Sequence, residues 1–185
     1  MRDDESEHSL KHFRQKGRIM AKIYLAQKFF TFKDGFNVFD EKGQVIYSVK
    51  TPLIALTTEL SVDNAQGKKV AAIKKSMDPL FPGYNLFVNG QKIGRMYMDH
   101  TLLGSHLHIT RLDWNIEGNL LGWSYKVKKG FGVVGRISVQ PWHMSDHYAI
   151  EFDNEKDELP LLLVTLAAFL NNQEAEAKKN ESKKS

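Results

Sequence analysis

Apolar and polar residues alternate with a period of two along most of this chain. The segments "AKIYLAQ", "FNVFD", "QVIYSVK", "IALTTELSV", "KVAAIKK", "YNLFV", "KIGRMYM", "HLHITRL", "WNIEG", "GWSYKVK", "VVGRISV" and "HYAIEF" follow it and are rich in β-branched and aromatic residues. The pattern predicts about twelve short strands, each with one buried face. Between them lie compact polar turns such as "KDG", "DEKG", "DNAQG", "VNGQ", "EGN" and "KKGFG", where glycine or asparagine accepts positive φ at little steric cost. A hairpin unit recurs in "FNVFDEKGQVIYSV", "LSVDNAQGKKVAAI" and "NLFVNGQKIGRMYM", with Gly43, Gly67 and Gly90 in equivalent places. Such repetition predicts an up-and-down antiparallel sheet, which must close or fold over to protect its edges.

One segment breaks the alternation. "DELPLLLVTLAAFL", Asp157 to Leu170, is apolar almost all round, with Thr165 as its one polar interruption after Pro160. Read as a helix from Leu159 to Asn172 it has 14 residues and reaches about 21 Å, short of the roughly 30 Å hydrocarbon core of a bilayer. It also lacks the charged face of an interfacial helix, so the protein interior is its natural place, with Leu162, Leu163, Leu166 and Phe169 buried. Asp157 suits the N-cap, and Glu158 and Pro160 suit the first turn. The expected division is a polar tail over 1–19, a barrel domain over 20–173 and a charged tail over 174–185. The amino-terminal tail has no apolar stretch of signal-peptide length.

Three blocks carry a family resemblance: "YLAQKFFTFKDGFNVFDEKGQVIYSVK", "WNIEGNLLGWSYKVKKGFGVVGRISVQPW" and "SDHYAIEFDNEKDELPLLLVTLAAF". In this order the chain resembles the LURP-one-related proteins, including their YxjI-like bacterial members, which are grouped with the tubby carboxyl-terminal and phospholipid-scramblase domains. The resemblance implies a mainly β fold, a twelve-stranded antiparallel closed β-barrel around a central hydrophobic carboxyl-terminal helix. It also implies a non-enzymatic binding module directed at anionic phospholipid headgroups or a membrane surface. The alternative is an intracellular protein-interaction or scaffold barrel without lipid affinity.

Composition changes this picture little. The 185 residues carry a net charge of +4 and no cysteine, so disulfides, thiolate metal sites and cysteine nucleophiles are ruled out. Charge is unevenly spread: residues 68–136 hold 11 Lys/Arg against 4 Asp/Glu, and residues 137–176 hold 1 against 8. This can build a basic face and an acidic end. His106 with His108, and His143 with His147, together with Asp99, His100 or Asp146, have no specific ligand spacing, so neither a metal nor another cofactor is expected. Ser105, Ser124 and Ser145 lack a nucleophile-elbow context, and the lysine-glycine turns lack the helix of a phosphate loop. An enzyme is not expected.

Nucleic acid is not an expected partner either. In "WSYKVKK" strict alternation sends Trp123, Tyr125 and Val127 to one side and Ser124, Lys126 and Lys128 to the other, so aromatics and cations separate instead of interleaving. Trp114, Trp123 and Trp142 read as core residues, with Trp142 in "QPWHM" the best candidate for a surface anchor. The candidate anion or lipid ligands are Lys126 and Lys128 on one strand, Arg136 on its hairpin partner, and Lys74 and Lys75 at the end of another. The expected setting is the cytoplasm, with peripheral contact to a membrane and no spanning segment.

Overall fold

The structure, a computed structural model, describes residues 20–26, 35–50, 59–80, 82–101, 104–120, 122–142 and 145–182. The strands are β1 (Ala21–Ala26), β2 (Phe36–Phe39), β3 (Val45–Lys50), β4 (Glu59–Asn64), β5 (Lys69–Lys75) and β6 (Gly83–Val88). They continue with β7 (Gln91–Thr101), β8 (Gly104–Ile109), β9 (Trp114–Asn119), β10 (Ser124–Lys129), β11 (Gly132–Trp142) and β12 (Ser145–Phe152). Each pairs antiparallel with its sequence neighbour, and β1 pairs with β12, so the sheet is a closed twelve-stranded barrel. The first residues of "IALTTELSV" and the 1–19 tail lie outside the described residues.

The repeated hairpins have a chemical basis in their turns. Asp40 accepts the N–H groups of Lys42 and Gln44 at 2.9 and 2.8 Å, and Asn64 accepts those of Gln66 and Lys68 at 3.1 and 3.0 Å. Gly43 and Gly67 then take positive φ in equivalent places. The third unit is tighter. Asn89 and Gly90 are both left-handed, at φ 49° and 77°, the conformation an Asn-Gly hairpin prefers.

Inward residues of the strands and a helix fill the barrel. After a 3-10 turn, Glu155–Asp157, capped by Asn154, the helix α1 (Glu158–Ser182) runs through the lumen, where Leu161 to Ala168 are each no more than 3% exposed. Ile23, Leu25, Ile73, Leu86, Met96, Ile137 and Ile150 close on it from the wall. Thr165 donates its hydroxyl to the Leu161 carbonyl at 2.9 Å, which satisfies it within the helix. Beside it the Tyr125 hydroxyl is fully buried without a well-formed hydrogen bond, and burial pushes its pKa up. Gly135 on β11 lets the helix close in: a Cβ there would stand 2.5 Å from Leu161 Cδ1 and 2.9 Å from the Glu151 carbonyl oxygen.

Two features of α1 differ from the sequence expectation. Phe169 is half-buried, because it sits where the helix leaves the barrel and tilts against Trp123 with ring centroids 6.2 Å apart. The helix also runs past Asn172, so the charged segment is helical from 174 to 182. Alanine, glutamate and lysine there favour helix without any apolar stripe.

Both ends of the buried segment are tied to the wall. Tyr47 donates to Glu158 at 2.6 Å near the start, and Tyr84 and Lys75 both reach Glu174 Oε1 at 2.6 Å near the exit. Burial, then the carboxylate partner, pushes both tyrosines up. Burial likewise raises Glu158, against the Tyr47 hydrogen bond. Glu174→Ala would leave the Tyr84 hydroxyl, on a residue only 2% exposed, without its acceptor. The expected loss is about 1–3 kcal/mol, a fall in melting temperature of roughly 2–12 °C for a chain of this size. Lys75 and Glu174 are too exposed for their ion pair to add much, so thermal melting of Lys75→Ala should show a smaller fall. Equal falls would assign the effect to the ion pair instead.

Candidate functional site

The wall over β9 to β12 carries a groove of about 410 Å3. Its shape follows from side-chain size on the outward rungs. Lys126 on β10 stands directly opposite Arg136 on β11, and at the next rung the small residues Ser124 and Ser138 open a gap. Gly118 tightens the floor: its φ is +124°, and a Cβ there would meet the Ser124 carbonyl oxygen at 2.6 Å. The inward alternation holds the rungs in place, since Tyr125, Val127 and Ile137 are buried against the core.

The outward charges form a row around the barrel: Glu117, Lys126, Arg136, Glu151 and Lys22 occupy facing positions on β9, β10, β11, β12 and β1. Like charges directly opposite on neighbouring strands repel, so the Lys126 and Arg136 pair is a local cost that an anion between them would relieve. The flanking acids are engaged elsewhere. Glu117 takes Lys128 at 3.0 Å and Glu151 takes Lys22 at 3.0 Å and Gln140 at 2.9 Å. Burial alone would raise the Glu151 carboxyl, but the Gln140 and Lys22 hydrogen bonds and the Arg136 charge hold it below the usual range. Lys126 has no ion-pair partner among the described residues, and Arg136 has a long contact with Met20 Sδ at 3.5 Å. Lys22, Lys126, Lys128 and Arg136 face two carboxylates here, which leaves two positive charges in excess.

The barrel therefore gathers three of the five candidate cations. Lys126 and Arg136 share a rung. Lys128 lies towards the hairpin tip, past a bulge between Val127 and Lys128, and leans on Glu117. Lys74 and Lys75 are elsewhere, because β5 is five places from β10 around the ring. Lys74 points outward near Glu59 at 3.4 Å and lies 5.7 Å over the Phe87 ring, while Lys75 lies at the rim, bound to Glu174. Ser124 and Ser138 were not among the candidate ligands, although "GWSYKVK" and "VVGRISV" put each on the same side as its neighbouring cation. Glu174 carried no such signal.

The histidines do not converge. His108 stacks on Tyr97 at 5.4 Å between ring centroids, and His147 is 8% exposed on β12. The side chains of Asp99, His100, His106, Trp142 and Asp146, and all of His143, lie outside what the structure describes. Among the described residues no three His, Asp or Glu side chains are grouped as metal ligands, and no helix is long and apolar enough to cross a membrane.

Comparison with known proteins places this geometry among relatives. The model of a family described as LURP-one-related matches residues 21–170. An uncharacterized protein of Bacillus subtilis (strain 168), YxjI, is 25% identical over 160 residues, which cover 85% of this chain and 99% of that protein. The X-ray structure of an Arabidopsis thaliana protein superposes with a TM-score of 0.57 at 15% identity, covering 83% of this chain and 93% of the other. That likeness concerns the fold.

Proposed function

The chain belongs to the LURP-one-related family, and from that premise we propose that it is a non-enzymatic binding module that takes an anionic phospholipid headgroup in the groove over β9 to β12. The observation that carries the reading is the facing pair Lys126 and Arg136, neither of them in an ion pair among the described residues, beside two serine hydroxyls. Each basic residue near an anionic membrane surface contributes about 1 kcal/mol, and salt weakens the sum. Ser124 and Ser138 offer hydroxyl donors to phosphate oxygens. The proposed setting is the cytoplasm, at the face of a membrane. Lys74 and Lys75, held by acids on another wall, are not needed for this site.

The test is co-sedimentation with phosphatidylcholine vesicles that do or do not carry phosphatidylserine, at low and high salt. Wild type is expected to pellet with the anionic vesicles at low salt and to be released by high salt. Lys126→Glu/Arg136→Glu replaces both cations by anions and should weaken binding by roughly a hundredfold or more. Equal pelleting of wild type and double variant would refute the groove as the site.

A second reading, a protein-interaction barrel without lipid affinity, draws on the loop after β5. Met77 and Leu80 are 94% and 81% exposed there, while Asp78 accepts the Leu80 N–H at 3.0 Å and so holds the loop in shape. Absence of vesicle binding by wild type at low salt would favour this reading.

A further inference from the structure

At the barrel end where α1 begins, the hairpin turns expose no large apolar side chain, with one exception. Their tips are Glu41 and Lys42, Ala65 and Gln66, and Asn89 and Gly90, followed by the turn Thr110–Asp113. The β10–β11 turn instead presents Gly130, Phe131 and Gly132, and Phe131 is fully exposed. It is the one large aromatic side chain in that condition among the described residues. Gly130 at φ +55° has no heavy atom near its missing Cβ, so the phenyl ring is the only side chain at a thin tip. Nothing in the fold accounts for it, because it contacts no core residue, and a polar residue would close the turn equally well.

The residues behind the ring indicate what would cover it. Lys128 and Lys129 face Val133 and Gly132 on the last rungs of the hairpin. Arg111 stands on the neighbouring turn, with its guanidinium on the Lys92 carbonyl oxygen at 3.3 Å. The acids at this end include Glu117, already on Lys128, Asp113, Asp157, which feels the Lys129 charge, and Asp153, next to the Phe152 that pairs with Gly135. An apolar tip followed by a collar of cations matches the profile of an anionic bilayer, acyl chains below and phosphates above.

We propose that Phe131 is a membrane-inserting tip, which enters the headgroup and acyl boundary while Lys128 and Lys129 meet the phosphates. The proposal rests on the anionic-surface reading given above. The Lys126 and Arg136 rung lies four residues from Gly130, about 13 Å at ~3.3 Å per residue. A tip buried ~5–10 Å therefore leaves that rung just above the phosphate level, where a headgroup can rise into the groove. Insertion of the ring and occupation of the groove are thus compatible in one pose.

The test uses the full chain and phosphatidylcholine vesicles carrying one-fifth phosphatidylserine. Phe131→Ala should bind about tenfold more weakly than wild type, with an unchanged melting temperature and an unchanged salt dependence, and Phe131→Trp should bind as wild type does. Because the chain has no cysteine, Phe131→Cys accepts a single environment-sensitive fluorophore. Its emission should rise with these vesicles and be quenched by acyl-spin-labelled lipid, whereas the same label at Gln66→Cys should stay aqueous. Wild-type binding by Phe131→Ala, with an aqueous label at position 131, overturns insertion and leaves the groove standing. Weakening by Phe131→Ala but not by Lys126→Glu/Arg136→Glu overturns the groove and leaves insertion standing. No vesicle binding by wild type at low salt overturns both.

Discussion

Leu166→Asp is expected to abolish folding. Leu166 has no exposed surface, midway along the part of α1 that fills the barrel. A carboxylate there would meet aliphatic wall on one side and, on the other, a helix whose Thr165 hydroxyl is already bound to Leu161. Burying an unpaired polar or charged group of this kind costs several kcal/mol even after the group neutralises itself. A protein of this size has about 5–15 kcal/mol of stability to lose. Circular dichroism and the soluble yield should therefore report an unfolded or aggregated chain. Leu166→Met, close in volume, should cost less than about 1.5 kcal/mol and melt as a cooperative unit. Retention of the wild-type melting temperature by the aspartate variant would mean that the helix is not in the lumen.

The second large effect concerns the wall that faces it. Gly135→Val would put a branched side chain against the Leu161 methyl groups and against the carbonyl oxygen of Glu151 on the adjacent strand. The methyl groups can shift, but the strand backbone is pinned on both sides by its ladders. Overpacking of a tight core costs typically 1–3 kcal/mol, and two obstacles, one of them backbone, put this variant at about 3 kcal/mol or beyond. Chemical denaturation is the direct measurement. Gly135→Val/Leu161→Ala should recover part of the loss if the Leu161 methyl groups are the obstacle, and none if the Glu151 carbonyl dominates.

The strands, their turns and the buried helix were legible because each rests on local rules. The alternation in "GWSYKVK" sends Trp123, Tyr125 and Val127 inward and Lys126 outward, as the structure has them. The recurring glycines mark hairpin turns whose Asp40 and Asn64 caps lie in the same repeat. The site was legible only in half. That Arg136 faces Lys126 follows from one short hairpin, but the separation of Lys74 and Lys75 from them depends on the closure of the ring. Lys74 meets Glu59 across a single hairpin, but the partner of Lys75, Glu174, is 99 residues away. No periodicity encodes such a meeting. The helical extension beyond Asn172 was missed for a different reason, since the apolar signal that marks the buried segment ends at Leu170 while helix propensity continues.

The closure between β1 and β12 also sets the order in which the molecule can be made. Ala21 pairs with Phe152, and the residues that fill the space enclosed by that pairing come still later in the chain. While it is being synthesised, at ~5–20 residues per second, the nascent sheet has both an unpaired margin and a hollow apolar concavity. The margin persists until β12 has emerged from the ribosome, and the concavity until the α1 segment has. Long-range pairings of this kind are slow to form. The mature ring offers no strand margin to a foreign chain, so the hazard of illicit association belongs to the seconds before closure, where a holding chaperone would act.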